Sequence, residues 1–143
     1  MSITLQQATL VIDAALEEAR NRSLKPIAII VLDAGGHPVA YKREDKASLF
    51  RHDIARAKAM GALGMGLDTR KLAERANNNP VFFNSVSAVV DGNLALSPGG
   101  NLIRNNAGEV IGAVGVSGDT ADNDEACALA GIEVANLKHG GQV

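Results

Sequence analysis

The sequence contains very few aromatic residues, with no tryptophan, one tyrosine and three phenylalanines among 143 residues. Proteins that bind single-stranded nucleic acid stack bases on aromatic side chains and follow the phosphate backbone with a basic groove. The chain has no basic excess either, because 14 Lys and Arg residues stand against 16 Asp and Glu residues and give a formal net charge of -2. We therefore expect no nucleic-acid partner, and the charge gives no reason to expect binding to an anionic membrane.

Cysteine and long apolar runs are also scarce. Cys127 is the single cysteine, so it forms no disulfide within the chain, and a reducing compartment is the simple interpretation. No stretch approaches the roughly 20 apolar residues that span a bilayer. The first residues, MSITLQQ, lack the basic and apolar regions of a secretion signal. We expect a cytoplasmic protein without a membrane partner.

The chain is instead rich in small and branched aliphatic residues, and hydrophobic residues make up 46% of it. Its length suits one domain with one core, so we expect a single domain over residues 1–143. A helix is predicted over residues 5–22, because apolar residues recur there at three- and four-residue spacing. Thr4 and Gln7 fit a capping box, and Pro26 prevents the helix from continuing.

The middle of the chain alternates between strand and helix patterns. Residues 27–32 form a continuous β-branched run that predicts a central strand, and the alternating residues 38–43 predict its hairpin partner. Helical periodicity returns within residues 48–79, where Phe50, Ile54 and Ala57 are expected to face the core.

The C-terminal half adds about three strands and a helix. Segment 81–96 is open to two interpretations, since the Asp91-Gly92 turn signal between two apolar runs favours strands whereas Phe82-Phe83 suits a helical turn. Residues 101–104 and 110–116 are predicted strands, and residues 119–137 a helix. The order predicts an α+β fold with a mostly antiparallel, five-stranded sheet covered by helices on both faces.

Histidines are the first candidates for chemistry, because only their side chains titrate near neutral pH without a large shift. His37 follows two glycines in the predicted hairpin turn, where a solvated turn residue is the simple alternative. His52 lies near the start of the second helix, on its polar rim. A neutral imidazole there can ligate iron or act as an acid or base, and the alternative is again a solvated residue.

Charged residues and glycines at element ends form the second set of candidates. Arg43 and Asp45 follow the second strand, Lys58 lies in the second helix, and Gly99-Gly100 precede a strand. Cations beside free backbone amides can hold a carboxylate, including a porphyrin propionate, while surface ion pairing is the alternative.

Two further features have ordinary structural interpretations. Cys127 is expected to be a buried structural thiol. The acidic residues Asp122, Asp124 and Glu125 are expected to complement a helix dipole rather than to bind a metal.

Four stretches together resemble the GlcG/HbpS family, and the similarity covers nearly the whole chain. The stretches are Asp33-Ala-Gly-Gly-His37 with Arg43 and Asp45, Ile54-Ala-x-x-Lys58-Ala59 followed by Gly61-Ala-Leu-Gly64, Gly99-Gly100, and Val110-Ile-Gly-Ala-Val-Gly-Val-Ser-Gly118 extended through Asp119. The resemblance implies a small domain with a profilin-like sheet. It also implies assembly into homo-oligomers, and in some members fusion to a cobalamin adenosyltransferase.

The resemblance implies a ligand-binding domain with haem as the leading ligand, since some members of the family bind haem and others are reported to degrade it or to bind iron. Under this first hypothesis His52 or His37 approaches the iron. Arg43 and Lys58 pair with the propionates.

A second hypothesis is an enzyme, or an accessory protein, that acts on a small oxygenated carboxylic acid in a catabolic pathway. Arg43 or Lys58 would anchor the carboxylate, and the amides of Gly99 and Gly100 would stabilise an enolate-like oxygen. His37 or Asp119 would move a proton. A third hypothesis is an assembly subunit whose small-residue helix faces form interfaces.

Overall fold

The computed structural model describes residues 1–140. Within them, five helices and four strands follow one another along the chain: α1 Leu5–Asn21, β1 Ala28–Asp33, β2 Pro38–Arg43, α2 Arg51–Met65, α3 Thr69–Asn78, α4 Pro80–Val89, β3 Gly100–Arg104, β4 Val110–Ser117 and α5 Ala121–Val134. The strands form one antiparallel sheet in the order β2-β1-β4-β3. The α+β prediction is therefore confirmed. None of the helices in residues 1–140 is both long enough and apolar enough to cross a bilayer.

The prediction of five strands is wrong for this part of the chain, where the sheet has four. Segment 81–96 forms most of α4 and a turn instead of strands. Pro80 occupies the first turn of α4, where its missing N–H group costs no helical hydrogen bond. Asp91 and Gly92 then adopt positive φ angles of 54° and 74° and end the helical path.

One face of the sheet is covered by α1 and α5. The capping box of α1 is confirmed, because Thr4 Oγ1 accepts from the Gln7 amide at 3.1 Å and Gln7 Oε1 accepts from the Thr4 amide at 2.9 Å. The two helices and this face of the sheet share the main apolar core, whose largest fully buried members include Ile12, Ile27, Ile29, Ile103 and Ile132.

The opposite face is covered by α2, which contacts the sheet through small residues. The prediction that Phe50 faces the core is wrong, since 66% of this residue is exposed. The buried face of α2 is formed instead by Ala55, Lys58, Ala59 and Ala62. Small side chains at these positions allow the helix to approach the sheet far more closely than an aromatic side chain would.

Glycines in the sheet complete this close approach. A Cβ atom on Gly115 would lie 1.9 Å from the carbonyl oxygen of Ala55, and one on Gly100 would lie 2.3 Å from the carbonyl oxygen of Lys58. Only glycine fits at such distances, because the helix backbone itself occupies the space of a side chain. Lys58 is thereby fixed directly over the sheet.

The strand register gathers several chain segments at one end of the sheet. Arg43 and Ser117 both pair with Ala28, from opposite sides. The amide of Val116 donates to the carbonyl of Gly99 at 2.9 Å, so the start of β3 lies at the same end. We call this the Arg43 end of the sheet.

Candidate functional site

A buried ion pair lies at the Arg43 end of the sheet. Lys58 Nζ donates to Asp124 Oδ2 at 3.2 Å and to the carbonyl of Val116 at 2.9 Å. The exposed fractions of the two side chains are 3% and 2%. Asp124 also accepts hydrogen bonds from the amides of Gly118 and Asp119, at 3.3 and 2.9 Å. The pair therefore joins α2, the end of β4 and α5.

Burial lowers the pKa of Lys58, because desolvation disfavours the charged ammonium. The carboxylate of Asp124 opposes this shift, and the nearby guanidinium of Arg51 adds to it. Since the ammonium is directed at Asp124 and Val116, it is not presented to an external ligand. The role predicted for Lys58 as a propionate or carboxylate partner stays a prediction.

Asp124 is the residue at this end that the sequence interpretation missed. Its expected role was to complement the dipole of α5, but its side chain is buried against Lys58. Its spacing to Cys127, Ala128 and Gly131 is three, four and seven residues, which places it on the buried face of α5. This spacing in the sequence could have identified Asp124 as a buried residue. Cys127 itself is buried, as predicted.

Asp119 lies beside the ion pair and carries three hydrogen bonds. Its carboxylate accepts from the side chain of Asn123 at 2.8 Å and from the amides of Lys25 and Thr120 at 2.9 and 2.8 Å. These donors, the Asn123 amide above all, lower the pKa of Asp119 to about 2. A carboxyl group held in the charged form down to so low a pH is a weak proton acceptor. The hydrogen bonds around Asp119 therefore do not support its predicted role in proton transfer.

The two adjacent glycines have different environments. Gly99 has a φ of 120°, and a Cβ atom on it would lie 2.9 Å from Lys58 Nζ, so glycine is needed beside the ion pair. The amide of Gly100 donates to Thr69 Oγ1 at 2.9 Å, and the Thr69 hydroxyl donates to the Gly100 carbonyl at 3.2 Å. The Gly100 amide is therefore already engaged, and an oxyanion-binding role for it stays a prediction.

His52 lies on the first turn of α2 and contacts the edge strand of the sheet. Its ring meets the ring of Tyr41 edge to face, with centroids 4.8 Å apart and an interplanar angle of 78°. Tyr41 and Arg43 are two residues apart on β2, so their side chains leave the same face of the sheet. The His52 side chain is 44% exposed, and its Nδ1 atom lies 3.6 Å from Asp53 Oδ1. The structure therefore places an accessible imidazole, an aromatic ring and a cation on one face.

Of the other two predicted residues, His37 lies apart from this group and Asp45 lies beside Arg43. His37 is in the turn between β1 and β2, with 80% of its side chain exposed and Nδ1 3.3 Å from Asp33 Oδ1. Arg43 lies six residues further along the extended chain, which corresponds to about 20 Å. Asp45 is near Arg43 and lines an open cavity of about 420 Å³ with it.

Residues 1–140 contain no group of three or more His, Cys, Asp or Glu side chains arranged to hold a metal ion. His52 can therefore supply a single metal ligand but not a complete set. A haem iron would need only one ligand from a protein side chain, because the porphyrin supplies four nitrogens. The donor chemistry of His52, with Arg43 on the same face, fits such a group.

Comparison with known proteins agrees with this fold. A family model described as "Haem degrading protein HbpS-like" matches residues 3–133. The chain belongs to the HbpS-like family. The resemblance inferred from the sequence motifs is thereby confirmed. No curated protein matches the chain.

Solved structures extend the comparison of the HbpS-like chain. The crystal structure of PduOC in complex with heme has a TM-score of 0.87 at 22% identity, over 96% of this chain and 98% of that one. Protein ORFY of Klebsiella pneumoniae has a TM-score of 0.86 at 25% identity, over 94% and 90%. HbpS has a TM-score of 0.82 at 27% identity, also over 94% and 90%. The whole domain, not an isolated motif, is similar to these structures.

Proposed function

We propose that this HbpS-like protein binds haem, with His52 as the axial iron ligand. The observation that carries the proposal is the contact between His52 and Tyr41 on the face of β2 that also presents Arg43. The imidazole supplies the metal ligand, the tyrosine ring an aromatic contact and the guanidinium a partner for a propionate. The description of the family as haem degrading and the heme complex of the similar PduOC domain support the proposal.

His52 is a better candidate than the other histidines. His139 Nε2 lies 2.9 Å from Glu133 Oε1, and His37 lies in the exposed turn beside Asp33. His52 differs from both, because its ring packs against Tyr41 on the face of β2 that presents Arg43.

Arg43 is a better propionate partner than Lys58, because Arg43 is exposed whereas Lys58 is paired with Asp124 inside the fold. Use of Lys58 would leave the Asp124 carboxylate buried without its cation, at a cost of about 3–5 kcal/mol. The proposal therefore assigns the propionate to Arg43.

We also expect a second copy of the chain to complete the haem site. Five cavities in the described residues measure about 210 to 430 Å³, and each of the five is open to solvent. Tyr41 and Arg43 are exposed in one chain, and closed ligand sites bury most of the ligand surface. Light scattering with and without haemin tests this expectation, and a protein that stays monomeric in both conditions would contradict it.

Titration of the purified, haem-free protein with haemin tests the main proposal. We expect a saturable change in the Soret band. His52→Ala should weaken binding by about tenfold or more and change the spectrum of any residual complex. His37→Ala is the matched control, since it removes an exposed histidine about 20 Å from Arg43 along β2. Absence of a saturable change, or equal binding by His52→Ala and wild type, would refute the proposal.

A further inference from the structure

A second pocket lies where the loop after β2 meets the end of β4, beside the cavity of Arg43 and Asp45. Its volume is about 210 Å³, and its lining includes Lys25, Lys46 and Arg51 together with Ser48 and Gly118. Three cations thus surround a small space to which no acidic side chain contributes. This local concentration of positive charge contrasts with the overall net charge of -2.

The three cations of the pocket form no ion pair within the described residues. Within residues 1–140, none of them lies within ion-pair distance of a carboxylate. The carboxylate of Asp119, which follows Gly118, accepts a hydrogen bond from the backbone amide of Lys25 at 2.9 Å, and the Lys25 ammonium helps to lower its pKa. Asp124 is paired with Lys58. Asp119 therefore partly compensates the charge of Lys25, whereas Arg51 and Lys46 have no ion-pair partner within residues 1–140.

The guanidinium of Arg51 is held in place by a hydrogen bond and keeps free donors. Its Nη1 atom donates to Ser117 Oγ at 3.2 Å, in a partly buried position at the end of β4. A guanidinium carries five N–H donors in a rigid plane, so most of its donors stay available for an oxyanion. His52, the next residue, contacts Tyr41 on the edge strand instead. The pocket shares no side chain with the group of Tyr41, Arg43 and His52, although Pro26 lines both it and the cavity of Arg43 and Asp45.

We propose that this pocket binds a free small anion that carries a phosphate or carboxylate group. Its volume of about 210 Å³ equals that of about seven water molecules at about 30 Å³ each, which suits inorganic phosphate or a short dicarboxylate. Arg51 provides the planar donor set, and Lys25 and Lys46 provide point charges. The proposal does not depend on haem binding.

Isothermal titration calorimetry of the haem-free protein tests the proposal, with sodium phosphate and sodium malonate as probes. Sodium chloride keeps the ionic strength equal in all titrations, because exposed charges are screened by salt. We expect saturable binding with a Kd of about 1 mM or lower. Arg51→Met and Lys46→Met should each weaken it by about tenfold. Lys71→Met, an exposed lysine of α3 outside the pocket, is the matched control and should bind like wild type.

Three results would overturn the proposal. The first is no saturable binding of either probe, and the second is wild-type affinity in both Arg51→Met and Lys46→Met. The third is saturable binding of phosphate or malonate that haemin abolishes by competition, which would assign the pocket to a propionate. Loss of haemin binding alone refutes the haem proposal and leaves this one standing. Circular dichroism checks that each variant is folded. Lys46→Met changes an exposed residue and leaves the Arg51–Ser117 hydrogen bond intact.

Discussion

Replacement of Lys58 by Met tests the buried ion pair most directly. The methionine side chain has nearly the length of lysine but no charge, so packing under α2 is largely kept. The carboxylate of Asp124 then stays buried with two amide donors, from Gly118 and Asp119, and no cation. The carbonyl of Val116 also loses the lysine as a donor.

The magnitude follows from the buried position of both partners. Removal of one member of a buried pair costs about 3–5 kcal/mol of unfolding free energy. We expect Lys58→Met near the lower value, about 3 kcal/mol, because the two amides still solvate the carboxylate. Asp124→Asn leaves an ammonium buried without its counterion and should cost at least as much. The double variant should lose less than the sum of the two, by about 1.5 kcal/mol or more, since neither charge is then left alone.

Urea denaturation at near-neutral pH, followed by far-ultraviolet circular dichroism, measures these differences as long as the slope with denaturant is unchanged. Lys42→Met is the matched control, because Lys42 Nζ lies 2.8 Å from Asp13 Oδ1 in an exposed pair. An exposed pair contributes about 1 kcal/mol or less. If Lys58→Met costs no more than Lys42→Met, or if the double variant equals the sum of the single variants, then our account of the pair is refuted.

Three further predictions concern acid stability, thiol reactivity and packing. The pKa of Asp119 falls from its usual 3.8 to about 2 in the folded state, so its contribution is present above pH 3.8 and is lost as the pH falls towards 2. The stability gap between wild type and Asp119→Asn in urea should shrink over that range, and a pH-independent gap would contradict this. Burial raises the pKa of Cys127 to about 12, so iodoacetamide at about pH 8 should alkylate only the unfolded protein, as mass spectrometry would show. Gly115→Ala should destabilise by about 1–3 kcal/mol or more in thermal melts because of its contact with Ala55, whereas Gly64→Ala, with open space around it, should be neutral or stabilising.

Local signals explain the parts of the fold that were predicted correctly from the sequence. Thr4, Gln7 and Pro26 determine where α1 begins and how far it can extend, through a capping box and a missing amide. The alternation of residues 38–43 after a glycine-containing turn predicts β2 with its observed bounds, Pro38–Arg43. Segment 81–96 was ambiguous because a continuous apolar run suits a strand and a helix equally well.

Long-range contacts explain what sequence reasoning missed at the site. Arg43, Lys58, Gly99 and Asp119 lie at one end of the sheet, but their roles in a shared site stay a prediction. The burial of Lys58 depends on Asp124, 66 residues away, and no local pattern in α2 reveals it. The apolar spacing of Phe50 was misleading, because hydropathy does not show where a helix backbone touches a glycine.

The contact of α2 with the glycines of the sheet also has a mechanical consequence. Backbone meets backbone there, with no rotatable side chain between them to absorb a displacement. Movement of the helix towards the sheet would make the two backbones clash. The contact therefore fixes the distance between α2, including its first turn, and the sheet. Arg51 and His52 are consequently preorganised, and ligands should bind them without the entropic cost of ordering a flexible segment.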